Sequence, residues 1–358
     1  MKKVLVINTV PYSIGGISTV VENYFVALDK DRFRLDFVVN KYIDKKYEYT
    51  FLSAGSQIFR LNRNSILKYV RSVASIIRKN RYDIVHIHGN SRTMTLDLLA
   101  AWLGGAPFRI AHSHNDSCNH PLIHRFFKIP FDLLCNGRIA CGKAAGEWLF
   151  SKKEYAVLPN AVDTSHYVFD GSVRCQIREK LGLADGEILL GHVGYFNEQK
   201  NQAFILDILV ALLNQGKNVK VLFVGEGPLK KSIEEKASLM GVSSKVIFWG
   251  ESENVPDLMC AMDVFVFPSK WEGFGIAMLE AQFMGLPCIA SDEVPLETDV
   301  VDGNVRMGLR QPVRAWAEAV SGLLTEPRDR SHIRLASERY DIKKQVKLLE
   351  SIYESGTR

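Results

Sequence analysis

The sequence predicts an α/β protein of two domains, each a parallel sheet with helices on its faces. Three observations carry that prediction. The chain opens on an apolar run, a glycine loop and a helix. Between Val264 and Ala290 it runs through the order strand, loop, helix, strand. At 358 residues it is also longer than a single hydrophobic core usually organises. Hydrophobic content of 47% and charged content of 24% suit a folded globular chain rather than a disordered one.

Taken in order, Lys3 to Asn8 is the first strand. Its apolar stretch is too short for a signal peptide and is broken by Asn8. A loop with Gly15 and Gly16 follows, and Ser18 can cap a helix carrying Val21, Phe25 and Leu28 at i, i+4, i+7. The dinucleotide fingerprint GxGxxG is absent, which argues against a dehydrogenase. Asp29-Lys30-Asp31 resembles a metal-binding DxD but sits at a helix end, where a solvated turn is the simpler reading.

From Tyr49 to Tyr82 no acidic residue occurs, against seven Lys and Arg, and Ile66, Val70, Val73 and Ile77 mark an amphipathic helix. A solvated basic face and attraction to anionic lipid are both open for it. The stretch His120 to Phe131 mixes His124, Arg125 and Lys128 with Phe126, Phe127, Ile129 and Phe131, and is either a buried helix or a second membrane-contact candidate. Residues 1–165 hold 23 Lys and Arg against 13 Asp and Glu, and the remainder holds 22 against 27. The basic half is expected to meet something anionic, and no feature points to nucleic acid.

Ile84 to His88 and Arg109 to His114 read as strands, each ending in two histidines at i, i+2, hence on one face. Two histidines without a third ligand make a poor zinc site, so no metal is expected. Histidines at strand ends suit phosphate or hydroxyl groups better. Gly137 to Lys143 nearly matches a P-loop, but Ala144 stands where Ser or Thr should hold magnesium and Ile139 to Cys141 reads as strand. Six scattered cysteines without a CxxC pair indicate reduced core residues, a cytoplasmic protein and no structural zinc.

Ile188 to Val193 begins a second sheet, placing the domain boundary near 170: domains 1–170 and 171–339, then a final helix in 340–358. Three loops follow strands in the second domain. They are Gly194 to Asn201, Gly225 to Pro228, and Ser269 to Gly275, the last leading into a helix with Ile276, Leu279, Phe283 and Met284 at helical spacing. Gly273 and Gly275 let backbone approach a ligand, and a helix start attracts anions. Two carboxylates, Glu272 and Glu280, sit in this same corner. A ligand carrying both phosphate and neutral hydroxyls, such as a nucleotide-sugar, reconciles the two; a solvated helix position for Glu280 and a turn position for Glu272 is the other reading.

Glu272-Gly273-Phe274-Gly275 followed by Glu280-Ala281 resembles the signature of the retaining glycosyltransferase family 4. Val157 to Asp163 resembles the PNGVD stretch that ends the family's first domain, with Ala161 in place of glycine. The likeness spans nearly the whole chain. It implies two Rossmann-like domains facing each other across a cleft (the GT-B fold) and a C-terminal helix crossing back onto the first domain. The implied activity is sugar transfer from a nucleoside diphosphate sugar to an acceptor hydroxyl, without metal or cofactor, a UDP-sugar standing first among donors. The acceptor implied is a lipid-linked saccharide of capsule, exopolysaccharide or lipopolysaccharide synthesis, at the inner face of the membrane.

By the same resemblance Lys200 clamps the diphosphate, Glu272 holds hydroxyls of the sugar, and His112 or His114 steadies its reacting end. Gly15, Gly16, Tyr195, Asn201, Gly225, Gly227, Trp249, Gly273, Phe274, Gly275, Ile276 and Glu280 surround the donor. His88, Asn90 and Asn115 lie toward the acceptor. Tyr195 stands where the family has arginine, which leaves open a nucleotide-sugar-binding subunit without turnover. An epimerase or phosphorylase of the same architecture is a third reading.

Overall fold

The computed structural model describes residues 1–12, 16–40, 42–115, 118, 121–252, 254–325 and 337–356. The chain divides into two compact units, Met1–Val162 with Arg339–Arg358, and Asp163–Glu338. The division falls a few residues before the boundary read at 170. The turn at Thr164–His166 and the helix Gly171–Lys180 belong to the second unit: Arg174 and Arg178 tie that helix to Asp263 and to the carbonyls of residues 260–262.

The first unit holds β1 (Lys2–Asn8), β2 (Phe33–Asn40), β3 (Ile58–Leu61), β4 (Ile84–Gly89), β5 (Phe108–Ser113), β6 (Gly137–Ala140) and β7 (Ala156–Val157). They form one parallel sheet in the order β3-β2-β1-β4-β5-β6-β7. The second unit holds β8 (Ile188–Val193), β9 (Val219–Val224), β10 (Val246–Gly250), β11 (Val264–Phe267), β12 (Cys288–Ser291) and β13 (Val305–Met307), a parallel sheet in the order β10-β9-β8-β11-β12-β13. Central strands such as β4, β11 and β12 are buried along their whole length. β11 therefore reads as an unbroken apolar run, as parallel strands covered on both faces do, whereas β4 carries His86 and His88 and β12 ends on Ser291.

Several expectations change in detail. The first helix runs Gly16–Ala27, so Ser18 lies inside it and buried, not at its cap. Gly15 lies outside the described residues. In the helix Ile66–Asn80, which packs on Thr95–Gly104, Val70, Val73 and Ile77 are buried but Ile66 is exposed. The 120–131 stretch becomes two helices, Pro121–Phe126 and Lys128–Leu134. Their burial is limited to His124 and Phe131, while Leu122, Phe126, Ile129 and Leu133 are exposed, so a buried helix is not what forms there. Asp29 folds into the expected turn, its Oδ1 accepting from Asp31 N and Arg32 N. β6 occupies the supposed P-loop. Cys135, Cys141, Cys260 and Cys288 are buried, whereas Cys175 is exposed on a helix surface. The last helix, Ile342–Ser355, belongs to the first unit.

Candidate functional site

In the second sheet the strand order reverses between β8 and β11, and at such a switch point the loops after the two strands diverge to leave a ligand crevice. The loop after β8 runs from Gly194 to Asn201 and the loop after β11 from Pro268 to Gly275. The two are laced together. Lys270 N donates to Gln199 O at 2.7 Å, Gln199 Nε2 to Trp271 O at 3.0 Å, and Asn201 Nδ2 to Pro268 O at 3.1 Å. Lys270 also pairs with Glu198.

Between these loops lies an ion pair of two predicted site residues. Lys200 Nζ sits 2.5 Å from Glu272 Oε1, with side-chain exposures of 17% and 7%. Ser269, fully buried, donates to the same oxygen at 2.9 Å, and Lys200 lies 4.6 Å above the Phe267 ring. The second carboxylate, Glu280, is on the helix Ile276–Phe283, and its Oε1 accepts from the Tyr167 hydroxyl at 2.6 Å. Burial and then the neighbouring carboxylate push the Tyr167 phenol well above its ordinary range, so it acts as a donor. Gly275 precedes that helix at φ +91°, a conformation open to glycine, and Phe274 is buried beneath it.

The third loop, after β9, presses against the first. Phe196 N donates to Glu226 O at 2.8 Å and Leu229 N to Phe196 O at 3.1 Å. Gly225 and Gly227 have φ of +140° and +152°, and a Cβ on them would lie 2.2 Å from Gly194 O and 2.5 Å from the Phe196 backbone. Only glycine fits there. Gly225 N also donates to Gly250 O at 2.8 Å, so that carbonyl beside Trp249 is already engaged. Trp249 itself is half-buried beneath the Lys180 ammonium. Tyr195 is 40% exposed, and its backbone carbonyl accepts from Gln202 Nε2.

In the first unit the sequence reading of the histidines is corrected. It treated the pairs separately, but β4 and β5 are neighbours in register His88 to His112, which puts His86, His88, His112 and His114 into one two-by-two patch. All four are buried. His88 Nδ1 lies 2.8 Å from His114 Nε2, His86 Nε2 lies 3.2 Å from His112 Nδ1, and His86 Nδ1 lies 2.7 Å from the Tyr353 hydroxyl. Burial holds His86 and His114 down to about 3 and keeps His88 and His112 well below their usual value, so the patch is neutral. His86, His88 and His112 thus lie within reach of one another, and the premise for dismissing a metal fails. Asn90 and Asn115 follow β4 and β5, and the Asn90 carbonyl accepts from Trp148 Nε1 at 3.0 Å. Gly16 is exposed at the start of its helix.

Sequence reasoning missed Ser269, Tyr167 and Tyr353. None belongs to a motif, and Tyr167 and Tyr353 lie 113 and 267 residues from the partners they meet.

Comparison with known proteins places this arrangement. The model described as Glycosyl transferases group 1 matches residues 173–340, and that described as Glycosyltransferase Family 4 matches residues 14–166. EpsF of Bacillus subtilis (strain 168), named a glycosyltransferase, is 32% identical over 96% of this chain and 94% of its own length. The UDP-Gal:alpha-D-GlcNAc-diphosphoundecaprenol alpha-1,3-galactosyltransferase of Escherichia coli is 27% identical over 78% of this chain and 76% of its own. Anabaena Alr3699/HepE, solved in complex with UDP, superposes with a TM-score of 0.80 at 17% identity, covering 99% of this chain and 100% of that one. WaaG, a glycosyltransferase of lipopolysaccharide biosynthesis, gives 0.67 at 15% identity over 100% and 98% of the two chains. The two sheets are those of the GT-B fold. The chain belongs to glycosyltransferase family 4.

Proposed function

We propose that this glycosyltransferase retains anomeric configuration, uses a UDP-sugar without a divalent metal, and glycosylates a lipid-linked saccharide in polysaccharide synthesis. The observation that carries the reading is the Lys200–Glu272 pair between the two laced loops at the switch point. Bond cleavage leaves negative charge on the departing diphosphate, and fixed positive groups that meet it lower the barrier most. Lys200 moves from Glu272 to that diphosphate, beside the N–H groups at the start of Ile276–Phe283. Glu272, released, accepts from hydroxyls of the sugar. Glu280, oriented by Tyr167, accepts from the ribose hydroxyls. His114, 5% exposed against 1% for His112, donates to the sugar's reacting end in preference to that deeper imidazole. The acceptor oxygen attacks from the face the diphosphate leaves, and its proton passes to the departing phosphate oxygen.

Solved HepE binds UDP and UDP-glucose, which supports the donor class, and the E. coli relative's lipid-linked acceptor supports the acceptor class. Among the described residues no helix is long and apolar enough to cross a membrane. The exposed side chains of Leu122, Phe126, Ile129 and Leu133, next to Arg125 and Lys128, offer a lipid surface both apolar and cationic contact.

Turnover of UDP-sugars with chelator present, using an undecaprenyl-diphosphate saccharide as acceptor, tests the reading. An α-linked product from an α-linked donor is expected, and an inverted linkage or an absolute need for magnesium overturns it. The non-catalytic subunit, which Tyr195 favours, is the result if UDP-sugar binds and neither transfer nor hydrolysis follows. Phe126→Glu is expected to cut co-sedimentation with anionic vesicles at least 10-fold. Equal sedimentation would remove that surface from the account.

A further inference from the structure

The histidine patch in the first unit, of which the proposed sugar transfer uses His114 alone, carries further chemistry. Nitrogen atoms of His86, His88 and His112 all lie within 4.8 Å of one another, and all three residues are buried. The 3.2 Å between His86 Nε2 and His112 Nδ1 is close to the ~3.3 Å separating two ligands on a tetrahedral ion with metal–nitrogen bonds of about 2.05 Å. The rings are held at fixed angles: His86 stacks on His88, and His112 on His114, each with centroids 4.1 Å apart. A cavity of about 20 Å³ is lined by the same three imidazoles and otherwise mainly by apolar side chains such as Val6, Phe25, Leu158 and Leu349. That is room for roughly one water-sized ligand.

Two further features match a metal centre. Metal-binding imidazoles have their second nitrogen held by an outer partner. Here Tyr353 holds His86 Nδ1 at 2.7 Å and His114 holds His88 Nδ1 at 2.8 Å. His112 Nε2 is buried with no hydrogen-bond partner among the described residues. That nitrogen is the one outer position of the three left open, while His86 Nε2 and His112 Nδ1, which face each other at 3.2 Å, gain a shared partner from a bound ion.

We propose that His86, His88 and His112 form a binding site for one late first-row divalent ion of the zinc class. Tyr353 and His114 act as outer-shell partners. Three imidazoles without a carboxylate favour zinc, nickel or copper over magnesium and calcium. The ion would join β4 and β5 to the C-terminal helix that carries Tyr353, as a structural centre within the first unit.

The probe is cobalt(II), added to chelator-treated full-length protein both when folded and during refolding, so that slow entry cannot hide a site. Expected are one cobalt per chain, visible d–d bands of a tetrahedral centre, and displacement by one equivalent of zinc but not by magnesium. His112→Asn is expected to abolish the bands. Tyr353→Phe, which keeps the ring packing, is expected to weaken zinc binding 10–100-fold, the usual effect of losing an outer-shell partner. Absence of bands in both loading regimes overturns the proposal, as does wild-type affinity in both variants, which would mark surface histidines as the ligands.

Discussion

Replacing Lys200 by Met separates two roles that one residue combines. The ammonium is 2.5 Å from a carboxylate only 7% exposed, and Ser269 is that oxygen's other hydrogen-bond donor. Removing one partner of a buried pair costs about 3–5 kcal/mol. With Ser269 still in place, the low end, about 3 kcal/mol, is expected for Lys200→Met. Glu272→Gln leaves an acceptor oxygen for both donors and should cost about 1–2 kcal/mol, the scale of a weakened charged hydrogen bond. The double variant has no unpaired charge. Its cost should fall about 2 kcal/mol short of the sum of the singles, within the range seen for contacting residues. Urea unfolding read by tryptophan fluorescence gives the stabilities, since Trp249, Trp271 and Trp316 all lie in the second unit. If Lys200 neutralises the departing diphosphate, kcat/KM falls roughly 10²-fold in the single and stays there in the double. Stability is then restored without activity. Strictly additive stabilities would refute the coupling, and an active double variant would refute the assignment of Lys200.

Further outcomes follow from other parts of the molecule. His192 is fully buried, its Nδ1–H donating to Val266 O at 2.9 Å, and burial first of all holds it down to about 3. The unfolded chain takes up that proton from about pH 6.5 downward and the folded one does not, so stability present above pH 6.5 is lost as pH falls, by about 1.4 kcal/mol per pH unit. His192→Gln should therefore lose about 2 kcal/mol less than wild type between pH 7.5 and pH 5.0 in urea titrations. An equal loss contradicts the neutral assignment. Gly225→Ala forces a Cβ to 2.2 Å from Gly194 O at φ +140° and should destabilise by at least about 1–3 kcal/mol. Gly322→Ala, in a helix with nothing within 4 Å, should stabilise by up to about 1 kcal/mol, and a thermal melt of both checks the contrast. Tyr167→Phe should raise the donor KM several-fold with kcat nearly constant. A fall confined to kcat would mean that Tyr167 does not act by orienting Glu280 for binding.

What the sequence disclosed depends on the range of the interaction. The strands were legible because a doubly covered strand such as Val264–Phe267 must be apolar throughout. The loop at Gly225 and Gly227 was legible because close backbone approach excludes every side chain. The glutamate signature gave the family, and with it the place of Glu272, but not its pairing with Lys200. The meeting of His86, His88, His112 and His114 was hidden, since it follows from strand adjacency and register, which periodicity along one strand does not encode. The exposure of Leu122 and Phe126 was hidden for a related reason: an apolar helix face reads alike whether it packs on protein or remains uncovered.

Donor binding tests the central claim most directly. UDP-, GDP- and ADP-sugars are added in turn to wild type and to Lys200→Ala, with chelator and then with magnesium, and unfolding is followed by thermal shift. A ligand at 100 times its Kd adds about 2.7 kcal/mol. The account predicts stabilisation of wild type by a UDP-sugar, unchanged by magnesium and largely lost in Lys200→Ala. Stabilisation by none of them, or equal stabilisation of both proteins, would contradict it.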